Sequence, residues 1–572
     1  MTLIVPYEDL EPGPVGKYLE VIDYDVTNKR YYTPVDLDHP HVMTGNGLDP
    51  SESNPQFHQQ MVYAVASQTI FRFETALGRE IKWNRRDRKL RIFPHGMLTA
   101  NAFFDPDLHA LVFGYFRAVK TSAGRNLPGQ MVYTCLSHDI VVHETAHALL
   151  DDQRYFFDES CSEDTLAFHE AFADIVALFQ HFTMKEPLQE MIRLTGGEIF
   201  RSSVVPEIQP DDNGALIQAH LTKDNPLVAL AVQFGEAMGT RRALRSALGT
   251  PANFDNLAKY HEPHLRGSVL VAAIFDAYFT VYVRRTNDLV QISQSLRMGN
   301  GKRTALHPDI VNRLAESASK TASHFLNICI RALDYCPAVD IRFGDYLRAI
   351  ITADFELFPQ DKYEYRTAII DAFRSRGIVP KGVSSYAEES LLLDRPKPRV
   401  GGTLLKCPGL ASYTFKVGKN GWRKRDKKIF STLHKWAEKN AEELGLSVDP
   451  DNPGLKFHIR SLHPLYRVTD DGKLIHDIVV GFYQYKMVRV DESDNDSPTF
   501  PFRGGTIVIF DEEGSVQYIV AKEMKDKERL KEQREHLTGV QNDLAVAPYS
   551  ADAKSIFPNA FRPGFRITHR GF

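Results

Sequence analysis

The chain has 572 residues, too many for one ordinary core, so two or three domains are expected. Its 69 Lys+Arg against 73 Asp+Glu give a formal net charge of -4, which argues against a globally basic nucleic-acid binder. The five cysteines (Cys135, Cys161, Cys329, Cys336, Cys407) are odd in number and scattered, suggesting neither a disulfide framework nor a cysteine-type zinc site.

The first ten residues hold only the short apolar run Leu3-Ile4-Val5 before Pro6, Glu8 and Asp9, which is not a signal-peptide pattern. No stretch of about 18 uncharged apolar residues follows. The expectation is a reduced, cytoplasmic protein with no membrane partner.

Residues 1–17 read as an N-terminal arm and 18–135 as a β-rich lobe. Within the lobe, Lys17 to Tyr24 and Arg30 to Thr33 read as strands joined by an Asn28-Lys29 turn. From Asn54 to Gly78, Met61, Val62, Val65, Ile70, Phe71 and Phe73 fall at helical spacing, and Gly78 offers a stop. Strand-like runs follow near Lys89 to Phe93 and Ala110 to Phe116. Between them, Thr99 to Asp105 fits either an ordinary hairpin strand or an edge strand that holds an extended peptide by main-chain hydrogen bonds.

Residues 136–380 read as mainly helical, and 381–402, with Ser384-Ser385, Pro396, Pro398 and Gly401-Gly402, as a linker. The stretch 403–540 reads as a small α+β accessory domain and 541–572 as a C-terminal tail. In the accessory domain a helix is expected over Ile429 to Leu444, strands over Leu455 to Arg460 and Ile478 to Val490, a hairpin from Gly505 to Ala521, and a charged helix over Lys525 to His536. The basic run Lys416, Lys419, Arg423, Lys424, Arg425, Lys427 and Lys428 reads first as a solvated face. The acidic run Asp491 to Asp496 in the same domain also argues against nucleic acid as a partner.

The most informative segment is Ser137 to Leu150, which carries His143-Glu144-x-x-His147. Positions four apart share one helical face, so both imidazoles can reach one metal while Glu144 sits beside it. Two neutral imidazoles and one more ligand leave a fourth zinc position for water, which a neighbouring carboxylate can deprotonate. The apolar flanks, Ile140 to Val142 and Ala148 to Leu150, suit a buried helix in which unpaired histidines would be costly. A second helix, Thr165 to Phe179, carries Glu170 and Asp174 one turn apart. Glu170 can return as the third ligand and Asp174 can orient a ligand histidine, or the two can be a solvated acidic pair; Phe168, Phe172 and Ile175 argue against full solvation. His138 reads as structural and His169 as a weaker ligand candidate. His264, three residues before Gly267-Ser268 and an apolar helix, carries no meaning alone.

Taken in order over roughly residues 18–380, these segments resemble the thermolysin-like branch of the glutamate-zinc metallopeptidases, or gluzincins. Asn101-Ala102-Phe103-Phe104 resembles the family's substrate-binding edge strand, Asp139 to His147 its zinc helix, and His169 to Asp174 its glutamate-bearing helix. Leu244-Arg245-Ser246 resembles the segment whose arginine binds a substrate carbonyl, and His264-x-x-Gly267-Ser268 the segment whose histidine stabilises the oxyanion. The resemblance implies an α+β fold with a β-rich N-terminal lobe and a mainly helical C-terminal lobe, to which a small α+β domain is appended. It implies one catalytic Zn2+ on His143, His147 and Glu170, with Asp174 behind a ligand. Glu144 would be the general base, His264 the oxyanion donor, Arg245 a carbonyl-binding group, and Asn101 and Ala102 the grip on the substrate backbone. Ile140 and Leu244 would line a primed-side pocket for a bulky apolar residue.

There are departures from the family pattern. Ala258 to Pro263 replaces the run that normally supplies a carboxylate to the oxyanion histidine, and Glu262 is the available substitute. Tyr155 is the nearest counterpart of the family's oxyanion-assisting tyrosine. The acidic cluster beyond Asp174 is thin (Glu186, Glu190), which gives structural calcium little support. The expected function is an intracellular zinc endopeptidase acting on protein or peptide substrates, its C-terminal domain binding substrate or a regulator, or controlling access. Two other readings stay open: an aminopeptidase, for which no amine-binding acidic motif is evident, and a catalytically silent zinc-containing scaffold that binds peptides. Retention of Glu144 speaks against the scaffold, and the altered run before His264 speaks for it.

Overall fold

Period-two and helical patterns divide the chain between sheets and helices, and the result is a mixed α+β protein. The computed structural model describes residues 3–83, 88–118, 127–194, 252–298, 306–396, 405–411, 422–448, 456–468 and 472–542. Leu244, Arg245, Lys416, Lys419, residues 397–402 of the expected linker and the tail from 543 lie outside the described residues.

The N-terminal part holds β1 (Leu19–Val21), a short hairpin of β2 (Tyr24–Asp25) and β3 (Arg30–Tyr31), and the helices α1 (Pro40–Thr44) and α2 (Pro55–Leu77). The bounds of α2 follow from its caps: the Asn54 side chain accepts from the Gln56 amide, Pro55 opens the first turn, and Gly78 closes it at φ 67. Next come β4 (Leu90–Met97), β5 (Ala102–Asp105), β6 (Ala110–Arg117) and β7 (Met131–Tyr133). They join β1 in a mixed sheet of order β1-β4-β6-β5, with β7 also pairing β6. β5 is therefore an edge strand.

The helical part runs through α3 (His138–Gln153), α4 (Glu163–Phe182), α5 (Lys185–Leu194), α6 (Asn256–Lys259), α7 (Pro263–Met298), α8 (Pro308–Arg331), α9 (Phe343–Leu357), α10 (Tyr365–Ser375) and the short α11 (Glu388–Leu391). α4 is buried almost all round and packs against α3, α7 and α8. Among the described residues, Pro263–Ser293 of α7 is the one stretch long and apolar enough to cross a membrane, and 78% of its apolar window is buried inside the molecule.

The stretch expected as a linker is docked up to residue 396. Leu391 and Leu393 enter the main core, and the Arg348 guanidinium donates to the carbonyls of Leu391 (3.3 Å) and Leu392 (2.9 Å). Beyond it lie α12 (Trp422–Lys439), β8 (His458–Val468), β9 (Leu474–Arg489), β10 (Thr499–Phe510), β11 (Val516–Lys522) and α13 (Lys527–Asn542), the four strands forming an antiparallel sheet in sequence order. Alternate residues serve two cores. Ile478, Val480, Phe482, Val508 and Phe510 pack with Ile429, Leu433 and Trp436 of α12, whereas Val479, Tyr483, Ile507 and Ile509 join the core that begins at Leu19. Arg79 holds Asp334 through two bonds of 2.5 and 2.9 Å, and His463 of β8 donates to the same carboxylate at 3.0 Å. The C-terminal sheet is thus one wall of the main body.

Candidate metal centre

Ser137 precedes α3 and Asp139 falls in its first turn, where a carboxylate suits the helix dipole. On the buried face of α3, four-residue spacing brings the Nε2 atoms of His143 and His147 to 2.8 Å of one another. α4 packs on α3 and carries Glu170, whose Oε2 lies 3.7 Å from each Nε2. The three side chains are at most 2% exposed, and one ligand atom from each falls within a 4.8 Å cluster.

Groups behind this cluster decide its chemistry. His143 Nδ1 lies 3.0 Å from Asp174 Oδ1, a carboxylate that accepts only, so its Nε2 is the nitrogen turned towards His147. His147 Nδ1 lies 2.8 Å from His169 Nδ1, with the rings stacked. Two imidazole nitrogens and a carboxylate oxygen therefore converge in a dry pocket and need a proton or a cation among them. Burial acts to lower His143, but the hydrogen bonds to Asp174 and Glu170 and the charges of Asp174 and Glu144 outweigh it and raise its pKa to about 10. The donor set of two imidazoles and one carboxylate fits a divalent transition metal, which would displace that proton.

Glu144, 2% exposed, accepts the Phe104 amide at 2.9 Å through Oε2. β5 therefore turns its outer edge, which no described strand covers, towards α3. Ladder alternation puts the Ala102 carbonyl on that edge as well, because Asn101 and its carbonyl face β6, accepting the Gly114 amide at 2.9 Å. The Asn101 side chain accepts the Ala102 amide at 2.8 Å and so fixes the start of the edge.

His264 opens α7, its Nε2 3.5 Å from Glu170 Oε2 and its Nδ1 donating to Glu262 Oε1 at 2.8 Å. Glu262, which also accepts the Leu265 amide at 2.7 Å, is thus the carboxylate behind His264. Burial acts to lower His264, but the Glu170 charge and the Glu262 bond outweigh it and raise it to about 9. Gly267 lets α7 lie this close to α4: a Cβ there would meet the Ala167 carbonyl at 2.8 Å. Arg266 paired with Asp164 at 2.6 Å fixes the same junction.

The Tyr155 ring lies beside Phe156 (centroids 4.6 Å apart) and under the Arg460 guanidinium (4.9 Å). Ile140 is buried on α3. Glu186 and Glu190 are exposed on α5 and, among the described residues, join no cluster of potential metal ligands. Two features escaped sequence reasoning. His169, read as a weaker ligand, sits against the rear nitrogen of His147, and only its place beside Glu170 hinted at this. The connection between α3 and α4 is gripped by the C-terminal third: Arg503 pairs with Glu159 at 2.5 and 2.7 Å, and Ser160 bonds His536 at 2.8 Å. No protein-family model matches the chain, and no curated protein matches it.

Proposed function

We propose that the chain is a zinc-dependent endopeptidase with a thermolysin-like two-lobed body. The observation that carries this reading is the gathering of His143, His147 and Glu170, with Glu144 and His264 beside them, along the outer edge of β5. What zinc supplies when bound is Lewis acidity towards a carbonyl and a water. Glu144 would take the proton of the attacking water and hand it to the leaving amine. Protonated His264, backed by Glu262, would donate to the developing oxyanion. The Ala102 carbonyl on β5 would hold an extended peptide by strand addition.

The test is zinc content together with cleavage of a mixed peptide library by the intact chain and by Glu144→Gln. Zinc in both proteins with cleavage only by the intact chain is expected. Zinc in both with cleavage by neither would refute the endopeptidase reading.

A further inference from the structure

A second buried cluster lies in the N-terminal part, built from three elements distant in sequence: His58 on α2, His95 on β4, and Cys135 in the turn before α3. All three are at most 2% exposed. His95 Nδ1 lies 2.6 Å from Asp23 Oδ1, and Asp23 is held in turn by the Gln59 amide at 2.7 Å. His58 Nε2 lies 3.1 Å from the Glu52 carbonyl. A carboxylate and a carbonyl only accept, so each of these nitrogens carries a proton. In neutral rings the remaining nitrogens, His58 Nδ1 and His95 Nε2, then bring two lone pairs face to face, and they stand 2.8 Å apart.

Lone pairs in that position need an added proton or a cation between them. The third donor decides between the two, since a shared proton needs only the nitrogens. One ligand atom from each of His58, His95 and Cys135 lies within 4.8 Å of the others. The outward bonds of both rings are those that orient histidines bound to metal, carboxylate on one and main-chain carbonyl on the other. We infer that His58, His95 and Cys135 form a second, structural site for a borderline-soft transition-metal ion such as zinc, held on a nitrogen-nitrogen-sulfur donor set.

Metal-nitrogen bonds of about 2.0–2.1 Å in tetrahedral array separate two ligand nitrogens by about 3.3 Å, so the rings need part by only about 0.5 Å. Binding releases the Cys135 thiol proton to solvent. The remaining trio, His138, Asp139 and His181, makes no such demand: Asp139 Oδ1 accepts from both rings, at 3.0 and 2.9 Å. A metal on His58, His95 and Cys135 would clamp α2 and the sheet to the turn that launches α3.

The test uses the full chain, stripped with a chelator and reloaded with Co2+. Thiolate-to-cobalt charge transfer absorbs in the near ultraviolet, and a histidine-carboxylate site cannot produce it. We expect this band in the intact chain and in Glu144→Gln, and its loss with one equivalent of cobalt in Cys135→Ser. No band in the intact chain, or an unchanged band in Cys135→Ser, overturns the proposal. Should Cys135→Ser fail to fold, X-ray absorption at the zinc edge of the intact chain decides, since a first shell without sulfur overturns it too. None of these outcomes depends on peptidase activity.

Discussion

Replacing Arg503 with Ala should loosen the junction between the two ligand-bearing helices. Arg503 meets Glu159 through Nε and Nη2 at 2.5 and 2.7 Å, with the side chains 18% and 7% exposed. Its guanidinium also lies 4.3 Å over the Phe156 ring. Removing one partner of a buried pair costs about 3–5 kcal/mol because the other charge is stranded, and the partial exposure of Arg503 places this case near the lower end. The cation–π contact adds about 1 kcal/mol. Pairing energy is isolated by a cycle of Arg503→Ala, Glu159→Ala and the double variant, followed by urea denaturation. We expect a coupling of about 2 kcal/mol. Since residues 154–162 join α3 to α4, either single variant should also weaken metal binding, measured by chelator competition, as Glu170 drifts from His143 and His147. A coupling below about 0.5 kcal/mol with unchanged metal affinity would refute the reasoning.

Asp174→Asn removes the carboxylate behind His143 and should cost about 10- to 100-fold in metal affinity. In the intact chain that affinity should climb as pH rises towards about 10, because the metal displaces the proton held on His143; a flat profile would contradict the assignment. Glu262→Gln lowers the pKa of His264, so the alkaline limb of kcat/KM should move down by about one pH unit, and an unmoved limb would exclude His264 as the protonated donor. Burial and the Arg79 charge push His463 down to about 4, below its unfolded value of 6.5. Its contribution is therefore complete above pH 6.5 and is lost as pH falls towards 4, by up to about 3 kcal/mol. Denaturation at several pH values should show this loss in the intact chain and not in His463→Gln.

The features legible in the sequence were local ones. Asn54, Pro55 and Gly78 bound α2 because caps and left-handed glycines act within one turn. His143 and His147 are one helical turn apart, and Glu170 and Asp174 share the next long helix, so spacing alone brings out the candidate metal centre. His58, His95 and Cys135 stand on a helix, a strand and a turn, and no spacing rule relates them. Cysteine counting looked for a second cysteine and could not see two histidines arriving through the fold.

The packing of the C-terminal sheet against the main body also had a signal in the sequence. Ile478-Val479-Val480-Gly481-Phe482-Tyr483 and Ile507-Val508-Ile509-Phe510 are unbroken apolar runs, the pattern of strands covered on both faces, whereas a solvated accessory sheet would alternate. One face meets α12, and the other meets the body that carries the candidate metal centre. A cut near residue 395 would bare Val479, Ile507 and Ile509, so loss of activity after truncation would report an opened core as readily as a lost regulator. Substitutions at Arg503 or Glu159 keep the sheet in place and alter only its hold on the α3–α4 connection. Through that hold the C-terminal third contacts the connection that leads into the Glu170-bearing helix.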